Sequence, residues 1–253
     1  MSQIKPTKNG SSKPESVRGQ LAELNRQFEG THPDRVLAWA SGTFGAKAVI
    51  GTGFGPSGIF LIHRAHILGL VTPVFYLDTQ LLFEETYALR DKLEQKLGIS
   101  IHKVSPDLSV REQAEKHGEE LWNRDPNHCC YIRKVAPLKK YLSDKEAWIT
   151  GIRRNQSVTR EDTQIVEYDA VSDVIKINPL AAWDNDRIWD YIRKHDLPYN
   201  PLHDEGFPSI GCIPCTSPVA EGEDERNGRW RGEEKIECGI HFSDVTGRFE
   251  RDA

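Results

Sequence analysis

Lys47-Ala48-Val49-Ile50-Gly51-Thr52-Gly53-Phe54-Gly55-Pro56-Ser57-Gly58 carries a short apolar run into a bend rich in glycine. The run Lys47–Thr52 reads as a buried strand, and Ser57–Leu68 (SGIFLIHRAHIL) reads as the helix that follows it. A strand, a glycine bend and a helix start make a seat for an anion, because unpaired backbone N–H groups and the helix dipole both favour phosphate. No Gly-Lys-Ser/Thr follows, so the bend is not a Walker A loop. Gly53, Gly55 and Gly58 do spell G-x-G-x-x-G, with Asp78 about twenty residues on, which is the pattern of a dinucleotide site.

Outward from this unit the alternation continues. Val71–Leu77 is a second strand, and Glu84–Leu97 places Leu89, Leu93 and Leu97 on one helical face before Gly98 ends it. Ile99–Val104 and Ala147–Thr150 read as further strands, and Ile188, Trp189 and Ile192 mark a helix starting near Asp184. Alternating strands and helices imply an α/β fold, a mostly parallel sheet with helices on both faces, in a single domain. Ligands of such sheets sit at the C-terminal ends of the strands. Beyond about residue 200 the chain is rich in Pro, Gly and charge, and is expected to lie as loops over that edge.

Composition narrows the functional classes. The chain has 253 residues and a formal charge of −5, which argues against general nucleic-acid affinity. There is no apolar run of about 18 residues, so no membrane span is expected. Residues 1–19 are polar and read as a flexible tail, without the Arg-rich amphipathic pattern of a targeting peptide. Residues 20–220 read as the α/β body, and 221–253 as a mobile C-terminal segment whose Glu221–Glu234 stretch is highly charged. Five cysteines, an odd number, fit poorly with a secreted disulfide framework. A cytoplasmic chain with reduced thiols is the simplest expectation.

The cysteines are arranged unevenly: the adjacent pair Cys129-Cys130, the turn pair Cys212-Ile213-Pro214-Cys215, and Cys238 alone in Glu237-Cys238-Gly239-Ile240-His241. Four thiolates in two close pairs can hold a metal ion or an iron–sulfur cluster. The fifth is then left over and reads as a reagent. A nicotinamide-dependent dehydrogenase, suggested by the glycine pattern, leaves all five unexplained. A zinc-stabilised nucleotide-binding module is a further alternative, although neighbouring thiols on a regular helix point poorly at one small ion.

With those motifs in place, about residues 35–243 resemble the assimilatory adenosine 5′-phosphosulfate reductases, the cluster-bearing branch of the phosphoadenylyl-sulfate reductase family. The resemblance rests on Cys129-Cys130-Tyr131-Ile132-Arg133-Lys134-Val135, Thr150-Gly151-Ile152-Arg153-Arg154, Gly211-Cys212-Ile213-Pro214-Cys215-Thr216, Gly228-Arg229-Trp230 and the Cys238 motif. It implies an adenine-nucleotide α-hydrolase-like sheet with the nucleotide at Thr52, Gly53, Phe54 and Gly55, and further substrate contacts from Asp78 and Gly151. It implies that Cys129, Cys130, Cys212 and Cys215 ligate a [4Fe–4S] cluster. It also implies that Cys238 attacks the substrate sulfur, forming an S-sulfocysteine that thioredoxin or a similar dithiol resolves.

An anionic thiolate meeting an anionic sulfonyl group needs fixed cations, and Lys134, Arg160, Arg226 and Arg229 match the family positions for them. Arg153 and Arg154 are reserves, and His241 carries no assigned role. The 3′-phosphorylated nucleotide is the rival substrate within the family, and homo-oligomer formation is left open. One departure is local: where relatives commonly have Leu-Asp-Thr-Gly, this chain has Leu77-Asp78-Thr79-Gln80, which is expected to remove the conformational freedom of the glycine.

Overall fold

Ala48, Val49 and Ile50 are fully buried although they are consecutive, so the strand they form is covered on both faces, as parallel sheets require. The structure, a computed structural model, describes residues 14–220, 222–235 and 237–241. In chain order these comprise α1 (Pro14–Phe28), α2 (Pro33–Phe44), β1 (Ala48–Thr52), α3 (Pro56–Ile67), β2 (Val74–Leu77), α4 (Glu84–Leu97), β3 (Ile101–Val104), α5 (Val110–His117), α6 (Leu121–Arg124) and α7 (Pro126–Cys130). A π-helical turn, Tyr131–Val135, joins α7 to α8 (Ala136–Leu142), before β4 (Ala147–Ile149), β5 (Val166–Asp169), β6 (Val174–Ile177) and α9 (Asn185–Lys194).

The six strands run in the order β3-β2-β1-β4-β6-β5, all parallel except β5 against β6. From β1 the chain moves outward through β2 to β3, then returns to place β4 on the other side of β1. The order therefore reverses between β1 and β4, where open α/β sheets bind ligands. Register places Ile50 beside Ile149, so the loops after both strands leave the sheet side by side.

Side chains alternate along the strands and build two cores. Ile50 and Tyr76 join α2, α3, α4 and α9 in the larger one, through residues such as Leu37, Ile59, Leu89 and Ile188. Val49, Phe75 and Trp148 face the other way and pack on Leu138 and Leu142 of α8. The expected parallel α/β sheet, covered on both faces, is borne out.

Boundaries shift in places. Helix α1 begins at Pro14, inside the stretch expected to be a tail, because Leu21 and Phe28 on one face pack into the larger core. The rest of that expected tail, 1–13, lies outside the described residues, as does 242–253 of the C-terminal segment. The β5–β6 hairpin has no counterpart in the sequence reading. No helix among the described residues is long and apolar enough to cross a membrane.

Candidate active site

The loop between β1 and α3 opens the site. Phe54 adopts a left-handed backbone, φ 61°, and its N–H donates to Thr52 Oγ1 at 2.9 Å. Gly55 caps α3 with no side-chain hydrogen bond, and Pro56 occupies the first helical position, where its missing N–H costs nothing. Opposite, Gly151 follows β4 and presses on the same helix start: a Cβ there would lie 2.8 Å from Ser57 Cβ and 3.3 Å from Gly58 N. Together these loops wall a cavity of about 290 Å3, lined by Thr52, Gly53, Phe54, Gly55 and Gly151.

The cations gather on its far wall. Lys134, Arg160, Arg226 and Arg229 all line the cavity, brought there from the π turn, a short 3₁₀ turn at Val158–Arg160 and the loop beyond residue 222. Arg229 donates from Nε to the Cys215 carbonyl at 3.1 Å and lies 4.6 Å from the Trp230 ring centroid. Lys134 is buried. Burial alone would lower its pKa, but the sulfurs of Cys212, Cys130 and Cys238 around it hold it above the usual lysine value. Arg226 is drawn down to about 10, first by burial and then by the charge of Arg160.

Around Lys134 the four paired cysteines draw together. Cys129 and Cys130 end α7, immediately before the π turn Tyr131–Val135 that carries Lys134. Cys212 is fixed by a bridge to Leu82 and by Ile213 N donating to the Leu81 carbonyl at 2.7 Å. Its Sγ lies 3.3 Å from Thr79 Oγ1, and Gln113 Nε2 donates to Cys129 Sγ at 3.7 Å.

Burial, then Cys130, pushes the Cys129 thiol up to about 11; burial, then Cys212, pushes Cys215 up to about 12. Burial would also raise Cys212, yet Lys134 and Thr79 hold it below its ordinary value. No three described His, Cys, Asp or Glu side chains stand as ligands about a single metal ion. Four buried or half-buried soft donors that disfavour one another's ionisation do fit a larger thiophilic group able to neutralise them together.

Cys238 is half-buried and lines the same cavity as the cations. Its surroundings are packed rather than loose. Glu237 is buried, and the half-buried His241 stacks on Trp148 with ring centroids 5.2 Å apart and planes within 14°.

Of the expected contacts, the structure does not bring Asp78 to the cavity. Its carboxylate turns away to accept from Gln80 N at 2.9 Å and Tyr87 OH at 2.7 Å, bracing the turn after β2. Gln80 itself holds φ 58°, so the left-handed turn survives without glycine. Arg153, a reserve in the sequence, is buried against the cavity and donates to Ser57 Oγ and to Asn185 Oδ1; Arg154 pairs outward with Glu29. Glu237 was not legible as a site residue at all, because its partners lie 77 and 11 residues away in the chain.

An anion-binding loop at the switch point of a parallel sheet, faced by clustered cations and a thiol, defines a nucleotide-site α/β protein equipped for thiol chemistry. Residues 47–218 match the family model described as phosphoadenosine phosphosulfate reductase domain. The chain belongs to that family. It is 53% identical over 225 residues to an adenosine 5′-phosphosulfate reductase of Salinibacter ruber, covering 88% of this chain and 89% of that one. It is 46% identical over 224 residues to a phosphoadenosine 5′-phosphosulfate reductase of Gloeobacter violaceus, covering 87% and 93%. The crystal structure of a phosphoadenylyl-sulfate reductase from Candida auris, a phosphate complex, aligns with TM-score 0.69 at 30% identity over 83% of this chain and 100% of that one. The expected adenine-nucleotide α-hydrolase-like fold is thus borne out.

Proposed function

We propose that the protein reduces adenosine 5′-phosphosulfate to sulfite and AMP, as a thioredoxin-dependent adenylyl-sulfate reductase of sulfate assimilation. One observation carries the reading: Cys238 lines the β1–β4 cavity together with Lys134, Arg160, Arg226 and Arg229. A thiolate can approach an anionic sulfonyl group only where fixed positive charge offsets their repulsion, and this wall supplies it.

The nucleotide lies against Thr52, Gly53, Phe54, Gly55 and Gly151, its phosphate directed at the start of α3. The arginines, which can each grip an oxyanion with two donors, orient the sulfate and phosphate groups. Cys238 Sγ attacks the sulfate sulfur, the S–O bond to phosphate breaks, and AMP leaves with the bonding electrons. A thiolate of the dithiol donor then attacks Cys238 Sγ, and sulfite departs with the electron pair of the S–S bond. The donor's second thiol closes its own disulfide and frees Cys238, so two electrons pass from donor to sulfur.

Cys129, Cys130, Cys212 and Cys215 would hold a [4Fe–4S] cluster, which when bound supplies a fixed charge beside the site. Lys134, wedged among the sulfurs and reaching the cavity, would set its own positive charge between that group and the substrate's anionic oxygens. Residues 20–220 form the nucleotide- and cluster-binding unit, and 221–253 would, once released from its packed position, carry Cys238 from substrate to donor, in the cytoplasm. Cleavage within 221–234 that AMP leaves unchanged would oppose that motion.

The test measures sulfite released from adenosine 5′-phosphosulfate and from its 3′-phosphorylated counterpart, each with and without reduced thioredoxin. Release should favour the former and depend on thioredoxin. Preference for the latter would assign the second substrate, and no release from either refutes the reading. Cys238→Ser should retain iron and sulfide but make no sulfite.

A further inference from the structure

The residue before Cys238 is the most completely bonded acid of the site. Glu237 is 7% exposed. Its Oε1 accepts from Arg160 Nε at 2.8 Å and from Thr159 Oγ1 at 3.2 Å. Its Oε2 accepts from Arg160 Nη2 and from Arg226 Nη2, both at 2.9 Å. Burial would push this carboxyl up, but the two guanidiniums hold it below its ordinary value. Two-point arginine–carboxylate pairs are strong and directional, and removing one partner from such a buried set leaves charge uncompensated.

Geometry connects this grip to the thiol. Adjacent Cα atoms are about 3.8 Å apart, so fixing Glu237 fixes where Cys238 begins. On the other side Gly239 turns the chain at φ 83°, Ile240 packs against the smaller core, and His241 lies on Trp148. Cys238 is therefore held between two anchors, one ionic and one stacked. Arg160 and Arg226 also line the cavity, so the ionic anchor uses side chains already committed to the site.

We propose that Glu237 is a positioning residue: gripped by Arg160, Arg226 and Thr159, its carboxylate seats Cys238 at the cavity wall and keeps the two arginines aimed at it. The inference rests on Cys238 being the attacking thiol. Glu237 touches no reacting atom.

Glu237→Gln keeps the shape and removes the charge. In the cluster-loaded full-length enzyme, backbone hydrogen exchange over 238–241 should rise about tenfold while β1 and α4 exchange as before, because only the local anchor is released. With adenosine 5′-phosphosulfate, kcat should fall about tenfold or more, with KM nearly unchanged, as misplacement of a reacting group predicts. Wild-type exchange and kcat in Glu237→Gln overturn the proposal. So does a raised KM with kcat intact, which would make Glu237 a prop for substrate arginines alone.

Should Gln loosen the whole sheet, Glu237→Asp decides, since it keeps the charge one carbon shorter. It must show local exchange and kcat between the extremes, and wild-type values for both overturn the latch. If the wild type releases no sulfite from either nucleotide, the catalytic reading falls, while the exchange comparison still judges the anchor by itself.

Discussion

Gly151→Ala tests whether the crossing of the β4 loop over the start of α3 shapes the nucleotide seat. The new Cβ would stand 2.8 Å from Ser57 Cβ, 3.3 Å from Gly58 N and 3.3 Å from the Ser57 carbonyl carbon. Two of those three are backbone atoms, so no rotamer change relieves them and the helix start itself must retreat. Overpacking of this kind costs about 1–3 kcal/mol. For a chain of this size each kcal/mol lowers Tm by about 2–4 °C. The retreat also withdraws the N–H groups proposed to face the phosphate, so AMP should bind about tenfold more weakly, equivalent to about 1.4 kcal/mol.

Gly53→Ala is the control. Nothing lies within 4 Å of a Cβ at Gly53, in the same loop. Its Tm should stay within about 0.5 kcal/mol of wild type in equivalent stability. Thermal unfolding and AMP calorimetry on both variants decide the matter. Gly151→Ala indistinguishable from wild type in Tm and AMP affinity would refute the packing argument.

Three further outcomes are expected. Lys134→Met removes the buried cation between the sulfurs and the cavity; kcat should fall about 100-fold or more, as when one charge-stabilising donor is lost from an active site, and undiminished turnover would dismiss that role. Gln80 is exposed and holds φ 58°, so Gln80→Gly should raise stability by about 0.5–1 kcal/mol in urea unfolding, the relief of left-handed strain exceeding the entropy lost, and a decrease would contradict it. His63 is held neutral, with its pKa pulled down to about 4 by burial first and then by the charges of His195, Arg64, His66 and Lys96. Unfolding returns it to an ordinary value near 6.5, so the unfolded chain binds the proton first and stability falls as pH drops from about 6.5 towards 4. Denaturation at pH 7.5 and 5 should show a shallower pH dependence in His63→Gln, and equal slopes would refute the assignment.

What the sequence discloses and what it hides follow one physical line. The β1–loop–α3 unit and α4 are legible because local signals agree: an apolar run, a glycine bend before a helical pattern, Gly98 in a left-handed cap at φ 62°. The β5–β6 hairpin is hidden partly because Lys176, a charged residue, is buried in β6, where it pairs with Glu167 at 2.9 Å and breaks the apolar pattern. Asp78 reads as a ligand contact from its spacing beyond the glycine pattern and from the family resemblance, yet the hydroxyl of Tyr87 donates to it and turns it away. Lys134 is readable from its place one turn beyond Cys130, whereas Glu237 depends on arginines that only the folded chain brings to it. Local geometry is written in neighbouring residues; the pairing of buried charges is not.

The central claim is that one thiol forms a bond to the substrate's sulfur while four others are held apart from it. Mixing the enzyme with adenosine 5′-phosphosulfate in the absence of any dithiol, then digesting and weighing the Cys238 peptide, tests this most directly. The account predicts a sulfonate on Cys238 alone, formed together with AMP and removed as sulfite when reduced thioredoxin is added. An unmodified Cys238 peptide, from enzyme that makes sulfite once reduced thioredoxin is added, would contradict it.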